Sequence, residues 1–294
     1  MIMGTYITIS VEKQDIKELE NGFEIFKTVD QSLSSYKETS PIFKLNKNKK
    51  ANINTITYEA LKRSKKYYND TNGYFDISVG SITKDIYHFG EKQEHLATKN
   101  QLQNATINLS GLTFTKDSAS LEPHISIDLG GMGKGFAVDK VIEEFKKKNL
   151  KNTRVAASGD IRSLGNCEIL VENPFSQEPL AKFRTRHYET AVSTSGNYNR
   201  YILSEKNNHL INPKQKAPQE GFVSITLISK LPNSDLDAYA TAASVMPLQK
   251  SLEFLQSLEL GYILLTTEKM IFVSKNISEY VKDLELYQNF LSQP

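Results

Sequence analysis

The sequence predicts an α+β fold, mixed and antiparallel sheets packed with helices, in a single unit spanning residues 1–294. Three observations carry that expectation. Strand-like stretches outnumber the helices available to cross between them, and several lie close enough together for hairpins. Hydrophobic residues make up 39% and charged residues 24%, the balance of a soluble globular chain with ample core material. No repeat, low-complexity tract or linker divides the chain.

The elements follow in order. "TYITIS" (5–10) alternates like a strand. From Asp15 onward, Ile16, Leu19, Phe23, Phe26 and Leu33 fall on one face of a long amphipathic helix. A second helix fits 56–69 and ends at the turn signal "NDTNG". After a polar middle, "HISIDL" alternates again, with Ile125, Ile127 and Leu129 on one face and Ser126 and Asp128 on the other. A glycine loop follows, then a helix with Val138, Val141, Ile142 and Phe145 at helical spacing. "TRVAASGDI", "CEILVEN", "FVSITLIS" and "GYILLTT…MIFVSK" read as strands. Between the last two lies a helix from about Asp235, broken near Pro247 and resumed to about Leu258.

Composition narrows the function classes. A net charge of +2 gives no strong pull toward nucleic acid, and "KLNKNKK" and "EEFKKKN" read as solvated faces. Cys167 is the only cysteine, so an internal disulfide or thiolate cluster is excluded. Within "GNCEILVEN" it reads as a small apolar filler. No run approaches the ~18 apolar residues of a membrane span. The start, "MIMGTYITISVEKQD", lacks the three parts of a signal peptide. The expectation is a cytoplasmic protein, or one on the periplasmic face of the inner membrane if a leader precedes this chain.

The densest chemistry lies in "SIDLGGMGKGFAVDK" (126–140), which places Gly130, Gly131, Gly133 and Gly135 between an extended segment and a helix. Glycine inside an element costs about 0.5–1 kcal/mol relative to alanine. Such a cluster signals a tight turn, close packing or a phosphate, since strand–glycine–helix order presents backbone N–H groups to an anion. Walker A does not fit, because Asp128 stands where its first glycine belongs and Gly135 follows Lys134. G-x-G-x-x-G is absent too. Lys134, a cation inside the turn, suits an anionic ligand.

In "SDLDAYATAASV", Asp237 and Thr241 are four apart, so a helix sets both oxygens on one face. That is a hard-oxygen half-site of the kind Mg²⁺ uses with substrate phosphates. The plainer reading makes Asp237 part of a cap with Ser234 and turns Thr241 to the core. His209, in "NHLINP", is a third candidate, and any single histidine is more often structural than catalytic. His88, His95, His124 and His187 show no metal spacing with it.

Taken in order, these stretches resemble one family, the FAD:protein FMN transferases or ApbE-type flavin transferases. The resemblance runs through "MGTYITI" (3–9), "SSYKETSPIFKLN" (34–46), "GYFDISVG" (73–80) and "DLGGMGKGFAVDK" (128–140). It continues through "SGDI" (158–161), "AVSTSGNYNRY" (191–201), "HLINP" (209–213) and "DAYATA" (237–242). It implies that FAD is the bound substrate and Mg²⁺ the cofactor, with the FMN half passing to a Thr or Ser hydroxyl of another protein and AMP leaving. It further implies that Asp128 and Lys134 hold the dinucleotide, and that the Gly131 carbonyl, Asp237 and Thr241 hold the metal. Met3, Tyr36, Tyr74, Phe75 and Asp76 resemble flavin- and adenine-contacting positions. His209 matches the histidine placed near the pyrophosphate, as base or orienting group. The glycines would then let the backbone approach a pyrophosphate and its metal.

The implied partner is an acceptor protein with an [ST]-G-A-[ST]-like motif, such as a subunit of an RNF-type or sodium-pumping NADH:quinone oxidoreductase. This chain carries no S-G-A-T or T-G-A-T of its own. The alternatives are an FAD pyrophosphatase, with water replacing the acceptor, and a module that binds FAD without reaction. An NAD-type oxidoreductase is opposed by the missing fingerprint. Three positions depart from the family pattern: Ser158 replaces a glycine, Asn197 an acid, and Asn212 the acid of H-x-x-D-P. An acid at 212 beside His209 would raise its basicity, so a less basic imidazole is expected here.

Overall fold

The structure, a computed structural model, describes residues 1–198 and 200–287. Strand β1 (Ile7–Ser10) leads to helix α1 (Glu18–Leu33), and α2 (Pro41–Asn48), β2 (Lys50–Asn52) and α3 (Thr55–Asp70) follow. Two short helices, α4 (Gly80–Thr83) and α5 (Lys99–Asn104), precede the hairpin of β3 (Leu112–Phe114) and β4 (Ser118–Leu121). The glycine loop opens α6 (Gly133–Lys147). Then come β5 (Thr153–Ala157), β6 (Asp160–Leu164), β7 (Glu168–Val171), β8 (Ala181–Thr185) and β9 (Glu189–Gly196). The remainder comprises β10 (Ile211–Asn212), β11 (Ala217–Pro218), β12 (Phe222–Ser229), α7 (Asn233–Ser244), α8 (Leu248–Ser257), β13 (Gly261–Thr266), β14 (Ile271–Val273) and β15 (Val281–Leu286).

Seven strands form one sheet in the order β1-β5-β6-β9-β12-β13-β14, and every neighbouring pair is antiparallel. The α+β class expected from the sequence is therefore the class observed. Three layers result. On one face Ile225, Leu227 and Leu264 join the core under α1, α3, α6 and α7. On the other, Val223, Ile228, Ile263 and Leu265 meet the small sheet β15-β8-β7 through Ile169, Phe183 and Val281. Burial on both faces explains why β12 is apolar or small along its whole length, as the sequence had it. A third cluster, with Ile82, Tyr87, Phe89, Ile202 and Ile211, packs beneath the loops that carry His209.

Two local expectations are corrected. Helix α1 begins at Glu18, and Ile16 lies outside it with 64% exposure, so the buried stripe is Gly22, Phe26, Val29 and Leu33. The segment 125–129 follows a turn at His124, where φ is 66°, and joins no sheet. Side chains replace the ladder: Asn46 exchanges two 2.8 Å hydrogen bonds with the Ile127 backbone, and Ser81 Oγ accepts from Ser126 N. Ile125, Ile127 and Leu129 are buried as predicted, but Ser126 is buried as well.

Helix α6 buries Val138, Val141, Ile142 and Phe145 completely. It also places Asp139 across from the start of α7. Asp139 accepts from the Asn233 and Ser234 backbone N–H groups at 2.8 and 2.9 Å and pairs with Arg162 of β6. Pro232, at the N-cap of α7, offers no side-chain oxygen, so a neighbouring helix supplies the cap.

Candidate active site

The glycine loop, β6 and α7 converge on one ammonium group. Lys134, in the first turn of α6, sends Nζ to 2.8 Å from Asp160 Oδ2 and 3.6 Å from Asp237 Oδ2. Asp160 also accepts from Ser193 Oγ through Oδ1 at 2.7 Å. Its Oδ2 has no partner in hydrogen-bonding alignment, so the 2.8 Å contact with Lys134 is an ion pair by distance alone. Two buried carboxylates thus share one cation, an excess of one negative charge whenever both are ionised. Burial and the Asp160 charge push the Asp237 carboxyl up to about 7, against Lys134 and the Gly135 N–H. Burial lowers the Lys134 ammonium, but the two carboxylates outweigh it and hold it well above its ordinary range.

The predicted metal residues come together beside this pair. Thr241 Oγ1 donates to the Gly131 carbonyl at 3.3 Å, and Ser195 Oγ lies 3.5 Å from the same hydroxyl. Asp237 stands one turn earlier on α7. The capping alternative for Asp237 is corrected, because the Ser234 hydroxyl donates to Asp139 instead. Asp237 accepts from Gly135 N at 3.1 Å, so it serves the N-terminus of α6, not that of α7. A divalent ion fits this donor set: carboxylate, carbonyl and hydroxyl are hard oxygens, and the surrounding charge is unbalanced in its favour. Sequence reasoning missed Asp160, although "SGDI" was in view.

The loop glycines divide in purpose, and none adopts the left-handed backbone. A Cβ on Gly135 would stand 2.6 Å from the Asn233 carbonyl oxygen, so this glycine lets α6 and α7 touch. A Cβ on Gly131 would stand 3.0 Å from Thr241 Cγ2 and 3.3 Å from Phe75. A Cβ on Gly133 would meet only Met3, at 3.5 Å. Met3 and Phe75, predicted from separate stretches of the resemblance, therefore both border the loop.

Asp128 anchors the second half of the site. It accepts from Thr83 Oγ1 and Gly130 N at 2.9 Å and lies 3.6 Å from Lys84 Nζ. Burial would raise its carboxyl, but the Lys84 and Arg200 charges and the Gly130 N–H hold it below its usual value. Lys84, buried to 7% exposure, donates to Tyr36 Oη, with Nζ 3.8 Å from that ring's centroid. Arg200 Nη2 donates to the same phenol at 2.6 Å, and Tyr36 donates to the Phe89 carbonyl at 2.7 Å.

His209 adjoins this cluster. Its Nδ1 lies 3.0 Å from the Arg200 carbonyl, which can only accept, so Nδ1 carries the proton and Nε2 keeps its lone pair. Burial and the Arg200 charge push the imidazole down to about 4. It is neutral near pH 7, as a base must be.

Other positions have different duties. Asp76 caps the following turn, accepting from Ser78 N and Ser78 Oγ at 2.8 and 2.6 Å. Tyr74 lies under Lys250 and Lys214, at 4.8 and 5.7 Å. Asn212 does not hydrogen-bond His209. Its amide donates to the Val245 carbonyl at 2.7 Å and its oxygen accepts from Lys214 N and Gln215 N, which removes the reason for tying His209's basicity to this position. Ser158 forms the β5–β6 turn with a φ of 58°, a left-handed position that suits glycine better.

Fold and site together define an antiparallel α+β protein with a negatively unbalanced centre at the mouth of a glycine-opened helix. Residues 3–264 match the ApbE family profile, and the chain belongs to the ApbE family. It is 28% identical over 301 residues to the FAD:protein FMN transferase of Haemophilus influenzae, covering 94% of this chain and 85% of that one. The FAD:protein FMN transferase of Vibrio cholerae is 25% identical over 266 residues, covering 83% and 79%. The crystal structure of the ApbE protein from Thermotoga maritima shares the fold with a TM-score of 0.86 at 22% identity, covering 96% and 98%. Flavin transferase ApbE from Vibrio cholerae gives 0.79 at 20%, covering 95% and 97%. Among the described residues no helix is long and apolar enough to cross a membrane.

Proposed function

We propose that this protein transfers the FMN half of FAD to a Thr or Ser hydroxyl of an acceptor protein, releasing AMP, with Mg²⁺ as cofactor. The observation that carries the reading is the buried Asp160–Asp237 pair sharing Lys134 beside the Gly131 carbonyl and the Thr241 hydroxyl. Gly131, Asp237 and Thr241 would hold the ion. When bound, Mg²⁺ supplies charge neutralisation at a pyrophosphate.

The chain's own residues do the rest. Lys134, in the first turn of α6, offsets part of the Asp160 and Asp237 charge, so that with the ion bound the helix N-terminus would favour phosphate oxygens. Asp128 is acceptor-only and repels phosphate, so an adenine amino group or a ribose or ribityl hydroxyl is its partner. His209 accepts the acceptor hydroxyl's proton at Nε2 while the Arg200 carbonyl holds the ring's orientation. The acceptor is a segment with an [ST]-G-A-[ST]-like motif, of the kind carried by RNF-type or sodium-pumping oxidoreductase subunits.

Hydrolysis of FAD differs only in the nucleophile, and an acceptor domain in the assay separates the two. A storage module is disfavoured, because non-reactive binding of a dianion gains nothing from an excess of buried negative charge. The test is incubation with FAD, Mg²⁺ and an acceptor domain. Flavin fluorescence on the denatured acceptor supports transfer, and free FMN with an unlabelled acceptor refutes it.

A further inference from the structure

Arg200 joins the two halves of the site in a way that neither the glycine loop nor the metal residues explain. Its carbonyl accepts from both the backbone N–H and Nδ1 of His209, at 3.3 and 3.0 Å. Its side chain folds over the Phe89 ring, 5.8 Å from the centroid, and donates once, from Nη2 to Tyr36 Oη. Gly90 makes room for this: a Cβ there would stand 2.7 Å from Tyr36 Oη and 2.9 Å from Arg200 Nη2. Among the described residues no carboxylate lies within ion-pair distance of the guanidinium. Lys84 beside it is already engaged with Tyr36, the Phe89 carbonyl and Asp128. Arg200 is thus an oriented cation whose remaining N–H donors have no acceptor among the described residues.

We infer that Arg200 binds the phosphate on the riboflavin side of FAD, the one attacked in the transfer. The inference rests on the flavin-transfer reading. In that reaction the acceptor oxygen forms a bond to this phosphorus, the bond from phosphorus to the oxygen bridging to AMP breaks, and the hydroxyl proton passes to His209 Nε2. A cation on the residue whose carbonyl holds the base is therefore placed to meet the FMN phosphate, not the departing one. A guanidinium matches it, because its planar fork donates two parallel hydrogen bonds to phosphate oxygens. One residue would fix the base through its main chain and the phosphate through its side chain.

The test compares the binding of FMN, riboflavin and AMP to the wild type and to Arg200→Ala and Arg200→Lys, with Mg²⁺ present and folding checked by circular dichroism. FMN and riboflavin share the ring and ribityl chain and differ in the phosphate. Arg200→Ala should weaken FMN about tenfold or more, the usual worth of charge-assisted hydrogen bonds, and leave riboflavin unchanged. Arg200→Lys, with its charge but no fork, should fall between. Equal losses for FMN and riboflavin would overturn the assignment in favour of a role in holding Tyr36 and Phe89. A loss confined to AMP would overturn it in favour of the other phosphate, and no change for any ligand would overturn it outright. A wild type that binds neither flavin and no FAD would remove the transfer reading itself, and the inference with it.

Discussion

Asp160 on β6 and Asp237 on α7 reach the same ammonium, Lys134 Nζ, at 2.8 and 3.6 Å. Both are buried, so with both ionised the pair carries one more negative charge than its lysine can balance, and Asp237 is pushed toward its neutral form until a cation arrives. A structural ion pair would match its charges, since an uncompensated buried charge is costly. A site awaiting a cation would not.

Asp237→Asn separates those cases. The substitution balances Lys134 against Asp160, so the metal-free variant should melt at or above the wild-type temperature. It should also lose the stabilisation that Mg²⁺ gives the wild type, together with most of its activity. Thermal melts with and without Mg²⁺ and a rate at limiting Mg²⁺ read both effects. A variant with the wild-type metal response would exclude Asp237 as a ligand.

The neutral state of His209 predicts the acid limb of the pH profile. With the imidazole pushed down to about 4, the base form is present throughout neutral pH, so at saturating Mg²⁺, which keeps Asp237 ionised, the rate should fall only as pH drops toward 4. The stability sign agrees. The unfolded chain binds this proton near the ordinary 6.5 and the folded chain does not, so stability declines as pH falls between those values. His209→Gln should slow transfer by ~10²–10⁴-fold and flatten that decline. A wild-type limb that stays near 6.5 at saturating Mg²⁺ would contradict the assignment.

Asn212→Asp should leave the limb where it is. The family pattern in the sequence pointed to coupling between this position and His209, but the Asn212 amide is bound to the Val245 carbonyl. Replacing that donor with a carboxylate sets two acceptors together and should cost about 1–3 kcal/mol in urea unfolding. A shifted profile with unchanged stability would reverse this reading.

Glycines two apart in the loop should respond in opposite ways. Gly135→Ala drives a methyl to 2.6 Å from the Asn233 carbonyl and should destabilise by about 1–3 kcal/mol, splaying α6 from α7 and weakening metal binding. Gly133→Ala meets only Met3 at 3.5 Å and should be neutral or stabilising by up to about 1 kcal/mol, from helix propensity. Denaturation midpoints of the two variants decide the matter.

These contrasts show where the sequence was legible. Asp237 and Thr241 were readable because a helix repeats locally, and four residues set two oxygens on one face. The buried stripe of α6 followed from the same periodicity. What escaped was long-range. Asp160 joins Lys134 only after β6 enters the sheet, and Asp139 caps a helix to which it does not belong. The alternation at 124–129 was real, but Asn46 and Ser81 satisfy its backbone, and periodicity cannot tell that from a strand. Arg200 stands within "AVSTSGNYNRY", but nothing in that stretch assigned it a role, because its partners Tyr36 and Phe89 come from distant loops.

The most direct test of the account is the intact mass of an acceptor domain after reaction with FAD, with and without Mg²⁺, and with released AMP counted alongside. An Mg²⁺-dependent gain of one FMN moiety on a Thr or Ser of the acceptor is expected, with one AMP per adduct and no gain for the acceptor alone. AMP released together with free FMN and an unmodified acceptor would contradict it, and so would an adduct that forms equally well without the metal.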